Sequence, residues 1–173
     1  MRTIPARTCA AIGLLAVGTV SGTARAEPNL IKQPGAHPDY SLELEPHVVF
    51  GFDAPGDTAG QGFGPGFRGT VELVDNGFVS TINNTVGLGF GLDWFAFSSG
   101  KTSLWVPFVM QWNFWLTRSW SVFGEPGAGL YLGNATGFRP AFYGGGRFHF
   151  SDTLALTVRV GYPTFSVGLS FVL

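Results

Sequence analysis

The charged side chains of this chain alternate with apolar ones along extended segments. Glu43 and Glu45, for example, alternate with Leu42 and Leu44. Charges on one face of such segments can form an ion or proton path, or they can pair and fill an interior, because buried charges must be paired. Six residues are predicted to form an interior charge network: Glu43, Glu45, Glu72, Glu125, Arg147 and Arg159.

The positions of these charges along their segments decide which of them can meet. We expect Glu72 and Glu125 to lie near Arg147 and Arg159, because their segments bring them to overlapping heights on the inward face. At about 4 Å two opposite charges attract by roughly 4 kcal/mol at an effective dielectric constant near 20. The sequence therefore favours a closed, charge-paired interior over a path for ions.

His149 and Ser151 are the one pair that suggests nucleophilic catalysis. A serine nucleophile needs a base such as histidine, and the base needs an orienting carboxylate. No glutamate follows Glu125 in the sequence, and Ser151 and Asp152 are adequately explained as turn residues. We therefore predict that the protein is not an enzyme and assign no catalytic residue.

Metal, cofactor and nucleic-acid sites are not indicated. His37, Asp39 and His47 are potential metal ligands, but nothing in their spacing fixes a coordination geometry. The sequence has 10 Lys and Arg against 11 Asp and Glu, whereas nucleic-acid binding needs a basic patch. We predict no metal, no cofactor and no nucleic-acid partner.

Eight extended segments must position these residues. Each shows a period-two alternation that predicts a β-strand with one apolar face. Each also has about the ten residues that a tilted membrane-crossing strand needs. An even number of strands lets the last strand close on the first and leaves no edge. The predicted strands are 41–53, 66–75, 84–95, 103–115, 120–133, 138–150, 154–162 and 165–173.

The apolar face is predicted to contact lipid. Charged residues make up only 12% of the sequence and aromatic residues 15%. A ligand-carrying barrel in water would have the reverse arrangement, with an apolar interior. A Lys or Arg facing lipid costs about 2–4 kcal/mol at the membrane midplane, so the charged face should line the lumen. Five tryptophans near strand ends are predicted to be interfacial aromatics: Trp94, Trp105, Trp112, Trp115 and Trp120.

The first 26 residues have the pattern of a secretory signal peptide. Two arginines precede an apolar stretch, and Ala24-Arg25-Ala26 fits a cleavage site. The apolar stretch is shorter than the roughly 20 residues that a transmembrane helix needs. We therefore predict a signal peptide (1–26), an unstructured periplasmic lead (27–40) and an outer-membrane β-barrel (41–173).

Two stretches near the C-terminus resemble those of a known family. Residues 166–173 resemble the C-terminal assembly signal of bacterial outer-membrane barrels through Ser166, Gly168, Phe171 and Leu173. Leu173 departs from that signal, in which the last residue is usually Phe. Residues 147–162 combine an Arg-aromatic-x-Phe run, a Ser-Asp turn and an alternating strand that contains Arg. They resemble the closing hairpin of the OmpA-like small outer-membrane β-barrels, the opacity and OmpX-type eight-stranded barrels.

The resemblance implies an all-β, eight-stranded, antiparallel up-and-down transmembrane barrel in the bacterial outer membrane, with both of its ends in the periplasm. The implied partners are outer-membrane lipid, lipopolysaccharide and, during biogenesis, the barrel-assembly machinery. Such a fold does not determine an activity. We expect a structural or surface-contact protein with a plugged lumen that is not a general pore. The alternatives are a narrow channel and a lipid-modifying enzyme similar to the lipid A deacylases, which carry a His-x-Ser pair.

Overall fold

The computed structural model describes residues 28–51, 61–133 and 136–173. The predicted signal peptide lies outside the described residues. So do residues 52–60, which include the end of the first predicted strand and part of the connection after it, and residues 134–135.

Eight antiparallel β-strands close into a barrel. Each strand pairs with its neighbour in the sequence, and β1 also pairs with β8. The predicted up-and-down architecture is confirmed. The strands are β1 (Leu42–Gly51), β2 (Gly62–Val74), β3 (Asn84–Phe97), β4 (Thr102–Trp115), β5 (Trp120–Leu132), β6 (Gly137–Ser151), β7 (Leu154–Tyr162) and β8 (Thr164–Val172).

The largest departure from the predicted strands is the start of β2. Residues 62–65 form a strand where the glycine content predicts a loop, and they pair with residues 48–51 of β1. Phe63 is 63% exposed on the outer surface, whereas Gly62 and Gly64 face inward. The alternation therefore continues through this segment, with glycine in place of polar inward residues.

The two faces of the strands differ sharply in polarity. Outward residues such as Val48, Leu88 and Val160 are 49%, 49% and 60% exposed, whereas inward Glu125 and Arg159 are 1% and 0% exposed. An apolar exterior around a charged interior is the arrangement predicted for a barrel in lipid. The part of the chain that the structure describes has no helix long and apolar enough to cross a membrane.

The strand order defines the two ends of the barrel. β1 begins and β8 finishes at one end, which we call the terminal end, together with the turns after β2, β4 and β6. The loops after β1, β3, β5 and β7 lie at the opposite end. At the terminal end, the Leu173 carbonyl accepts hydrogen bonds from the Ser41 and Leu42 N–H groups at 2.7 and 3.1 Å. The last residue of the chain is thereby tied to the start of β1.

The segment before β1 is folded, which corrects the prediction of an unstructured lead at 27–40. Leu30 is 6% exposed, and its N–H donates to the Leu116 carbonyl at 2.8 Å. The Asn83 N–H donates to the Ile31 carbonyl, also at 2.8 Å. Residues 28–40 therefore lie across the terminal end of the barrel. Two apolar residues and the hydrogen bonds of their backbone outweigh the proline and glycine content on which the prediction rested.

Tyr40 fastens the last part of this segment to the lumen wall. Its hydroxyl makes a 2.9 Å hydrogen bond with Thr85 Oγ1 and accepts one of 3.1 Å from Asn113 Nδ2. Burial raises the pKa of the Tyr40 hydroxyl. The group therefore stays neutral at physiological pH and adds no charge to the interior.

Candidate functional site

Arg159 is at the centre of the lumen charge network. Its Nε and Nη2 donate to Glu125 at 2.8 and 3.1 Å. Its Nη1 and Nη2 donate to Glu45 at 2.6 and 3.0 Å. One guanidinium group thus holds two carboxylates through both of their oxygens, which is the strong, charge-assisted geometry. The predicted proximity of Glu125 and Arg159 agrees with this arrangement.

Arg68, Asp93 and His47 extend this group into a closed ring. Arg68 Nη1 donates to Glu125 at 3.2 Å, and Arg68 Nη2 lies 3.7 Å from Asp93. His47 Nε2 lies 2.9 Å from Asp93 Oδ1, and His47 Nδ1 lies 3.5 Å from Glu45 Oε1. The ring therefore passes from Glu45 through Arg159, Glu125, Arg68, Asp93 and His47 back to Glu45. All six residues are less than 9% exposed.

The three added members were missing from the predicted network. Their positions in the alternation nevertheless place them on the charged, inward face of their strands. Arg68 lies opposite Gly91 of β3 in the strand register. A side chain at Gly91 would meet the Arg68 Nε at 2.9 Å. A glycine opposite an inward arginine was thus a usable signal, since the arginine must cross that space to reach the lumen centre.

A second ion pair lies nearer the terminal end. Arg147 donates from Nε and Nη2 to Glu43 Oε1 at 3.0 and 2.8 Å, and from Nη1 to Asn113 Oδ1 at 2.6 Å. The Ser170 hydroxyl also donates to Glu43 Oε1, at 2.8 Å. The Arg147 guanidinium carbon lies 4.3 Å from the ring centroid of Phe123, a cation–π contact. Arg147 thus pairs with Glu43 and not with Glu125.

The structure contradicts the prediction for Glu72, which forms no ion pair with Arg147 or Arg159 among the described side chains. Glu72 lies instead near Tyr40 and His37, which stabilise its charge, and near Asp75, which repels it. It lies close to the terminal end of β2, where its neighbours come from the N-terminal segment. Its height in the barrel depends on the strand register, which the alternation pattern alone does not determine.

An aromatic cluster closes the lumen at the opposite end, where Trp105 is 1% exposed. The Trp105 indole Nε1 donates to the Tyr143 hydroxyl at 2.9 Å. The cluster comprises Val49, Phe95, Phe97, Trp105, Val109, Tyr131, Ala141 and Tyr143. Trp105 is therefore a lumen residue, which corrects its predicted interfacial position.

Trp115 fills the lumen at the terminal end, and it too was wrongly predicted to be interfacial. It is 3% exposed. The His37 ring stacks on it at 5.7 Å, and the His149 ring lies 4.8 Å from it. Trp105 and Trp115 lie on the same face of β4 as the inward residues Gln111 and Asn113. Trp94 and Trp120 are 41% and 51% exposed on the outer surface, and Trp112 is partly buried there.

His149 and Ser151, the pair weighed as a nucleophile and its base, do not contact each other through their side-chain hydrogen bonds. His149 Nε2 hydrogen-bonds to the Ser121 hydroxyl at 2.9 Å, whereas the Ser151 hydroxyl hydrogen-bonds to Thr153 Oγ1 at 3.3 Å. Ser121 is 0% exposed. A nucleophile must reach its substrate, so the Ser121–His149 contact is a packing contact at the terminal end.

No group of His, Cys, Asp and Glu side chains in the described parts of the chain could hold a metal ion. His37 and Asp39 do not form such a group with His47, which belongs to the lumen ring.

The residues of the C-terminal motif take two different positions. Ser166 faces the lumen and receives a 3.4 Å hydrogen bond from Arg159. Gly168 also faces inward, opposite His47 of β1. Phe171 and Leu173 are 43% and 62% exposed on the outer side. The motif therefore has one side in the lumen and the other on the apolar exterior.

No family model matches the chain, and no curated protein does. The similarity to solved structures lies in the barrel itself. A structure from a de novo design of transmembrane β-barrels has a TM-score of 0.53 and 15% identity, and the match covers 83% of this chain and 99% of that one. The solution NMR structure of the de novo designed TMB2.3 has a TM-score of 0.50 and 17% identity, with coverage of 78% and 94%.

The outer-membrane protein Ail of Yersinia pestis, in a phospholipid nanodisc, has a TM-score of 0.49 and 12% identity, and covers 78% of this chain and 100% of that one. At these identities the comparisons establish a fold and no activity. The chain has the fold of an eight-stranded, antiparallel transmembrane β-barrel.

Proposed function

We propose that this protein is a small bacterial outer-membrane barrel with a structural or surface-contact role and a lumen closed to solutes. The observation that carries the proposal is the division of the wall into two faces. Ion-paired side chains fill the inside, and large apolar side chains such as Phe63, Leu88 and Phe142 are 63%, 49% and 59% exposed outside. A protein in water rarely exposes so much apolar surface.

Three layers support a lumen that does not conduct. The aromatic cluster around Trp105 occupies the opposite end, the charge ring around Arg159 occupies the middle, and residues 28–40 cross the terminal end. An eight-stranded barrel is just wide enough for side chains to fill its interior. A pore would require at least one ion-paired layer to separate, which leaves buried charges uncompensated.

The proposed partners follow from this placement. The apolar exterior would contact outer-membrane lipid, with lipopolysaccharide on the outer side. The barrel-assembly machinery would bind the chain during biogenesis. The terminal end would face the periplasm and the four loops of the opposite end would face the outside. Surface contacts would then use loops such as 98–101, where Ser99 is exposed.

Cysteine labelling tests the proposed orientation. Ser99→Cys lies in an opposite-end loop and Asp152→Cys in a terminal-end turn, and both positions are exposed. The only cysteine of the sequence, Cys9, lies in the predicted signal peptide. On intact cells, an impermeant thiol reagent should label Ser99→Cys, and it should label Asp152→Cys only after permeabilisation.

Each alternative outcome has a defined meaning. Labelling of Asp152→Cys alone on intact cells would reverse the orientation. Equal labelling of both variants without permeabilisation would contradict a barrel that spans the membrane. Denatured protein, in which both cysteines are accessible, serves as the control for reagent reactivity.

A further inference from the structure

An apolar groove of about 440 Å³ crosses the outer surface where β7, β8 and β1 meet. Val48, Leu156 and Leu169 contribute its outer walls and are 49%, 36% and 43% exposed. Pro46 and Val167 complete the apolar lining, and the inward-facing residues His47 and Gly168 also border the groove. The groove is open along its length to the surroundings of the barrel.

Pro46 explains why the groove is here. The β1–β2 register is continuous through Pro46, which lies opposite Phe67. Between β1 and β8 the pairing is instead interrupted after Leu44 and resumes at His47 in the same register. Proline has no N–H group to donate to a ladder, so the interruption falls on the β8 side. The ladder between β1 and β8 therefore has a gap at Glu45 and Pro46, near mid-height.

The chemistry of the groove selects a hydrocarbon. Its only ionisable lining residue is His47, and both ring nitrogens are engaged: Nε2 lies 2.9 Å from Asp93 Oδ1, and Nδ1 lies 3.2 Å from the Glu45 carbonyl oxygen. No polar side chain of the lining is thus free to bind a headgroup. The groove is also continuous with the lipid-facing surface, so a chain from the surrounding bilayer can enter sideways.

The groove extends toward the terminal end. Leu156 is close to the start of β7 and Leu169 is close to the end of β8, and both of these strand ends lie at the terminal end. In the proposed orientation this half of the barrel lies in the periplasmic leaflet. Lipopolysaccharide occupies the other leaflet in that orientation, so the available acyl chain belongs to a phospholipid.

We propose that this groove, called the Pro46 groove, holds one acyl chain of a phospholipid more tightly than the rest of the barrel surface does. The choice of leaflet rests on the proposed orientation; the choice of an acyl chain rests on the groove itself.

Lipid retention measures the proposed affinity. The purified barrel is folded into vesicles that contain phosphatidylglycerol and lipopolysaccharide, extracted in mild detergent and analysed by native mass spectrometry. The unmodified barrel should retain one phosphatidylglycerol molecule. Val48→Trp fills the groove and should lower retention about tenfold, which corresponds to about 1.4 kcal/mol. Leu88→Trp is the matched control, since Leu88 on β3 is also 49% exposed and lies outside the groove.

A second measurement needs no variant. Phosphatidylcholine with a photoreactive diazirine in the middle of one acyl chain should form adducts concentrated on peptides that contain Val48, Leu156 or Leu169. This experiment remains informative if Val48→Trp fails to fold, which the shift between boiled and unboiled samples on a gel would reveal.

Four results would overturn the proposal: equal retention by Val48→Trp and Leu88→Trp, no lipid on the unmodified barrel, retained lipopolysaccharide in place of phospholipid, or adducts spread evenly around the barrel. A lipid-free dimer that protects Leu169 would assign the groove to a second copy of the chain. Reversed cysteine labelling would change the leaflet alone, whereas loss of selective retention would contradict the groove proposal and leave the orientation intact.

Discussion

Replacing Arg159 with methionine tests whether the ring holds the barrel together. Arg159→Met removes both donors of Glu45 and two of the four donors of Glu125. Glu125 keeps Arg68 at 3.2 Å and Gln111 at 2.8 Å. Glu45 keeps the His47 ring nitrogen at 3.5 Å and the electrostatic attraction of Arg68. The variant therefore leaves the Glu45 carboxylate without a directly hydrogen-bonded cation.

Removing one partner of a buried ion pair costs about 3–5 kcal/mol, so Arg159→Met should lower the free energy of unfolding by about that amount. The measurement is urea unfolding of the barrel in detergent micelles or lipid, with the slope against denaturant checked for a common two-state transition. Arg139→Met is the matched control. Its guanidinium makes a 3.4 Å hydrogen bond to an exposed backbone carbonyl, and removing it should cost about 1 kcal/mol or less.

A second substitution separates charge from packing. Adding Glu45→Gln to Arg159→Met neutralises the carboxylate that loses its arginine partner in the first variant. The double variant should regain about half or more of the lost stability. If Arg159→Met is no less stable than Arg139→Met, or if Glu45→Gln lowers stability further, the buried-charge reasoning is refuted.

Four further outcomes follow from the same structure. Phe171→Asp places a carboxylate on the lipid-facing side of β8 and should leave secretion intact but abolish the gel shift between boiled and unboiled samples; a retained shift would contradict the role of the motif. Gly168→Ala should destabilise the barrel because its Cβ would lie 2.6 Å from the Pro46 carbonyl oxygen, whereas Gly124→Ala, with open space around it, should be tolerated; equal stability of the two would refute the close approach. The unmodified protein in planar bilayers should show no steady conductance, and a stable, ion-selective channel would overturn the closed lumen. His37→Ala removes the stack on Trp115 and should cost about 0.5–1.5 kcal/mol and speed proteolysis of residues 28–40; unchanged proteolysis would show that the segment is held without it.

Period-two alternation predicted the strands and their faces, because a strand in lipid must separate its two sides along its whole length. The pairing of Glu125 with Arg159 was predicted because both residues lie on the inward faces of their strands at similar heights in the barrel. The position of Glu72 was not predicted, because it lies at the level of the start of β1, where its N–H donates to the Ser41 carbonyl at 3.1 Å. The alternation within one strand does not give the height of that strand relative to its neighbours.

The two misplaced tryptophans have a different cause. Trp105 and Trp115 have inward parity, but their position near strand ends was given more weight than the alternation. The folded N-terminal segment was not predictable in this way, since Leu30 and His37 make their contacts with residues far away in the sequence. Only the closed barrel creates the surface on which that segment packs.

The ring has a consequence for the order in which the barrel can form. Glu45 and Arg159 are separated by 114 positions in the chain, and Glu43 and Ser170 by 127. During synthesis, the carboxylates of β1 emerge long before their partners on β6, β7 and β8. A sheet that lacks the last strands would have to insert Glu43 and Glu45 into a partly open lumen without compensation, at a cost of several kcal/mol per ion. Incomplete chains are thereby disfavoured in the bilayer, and the first strand becomes stable in lipid only when the last strands arrive.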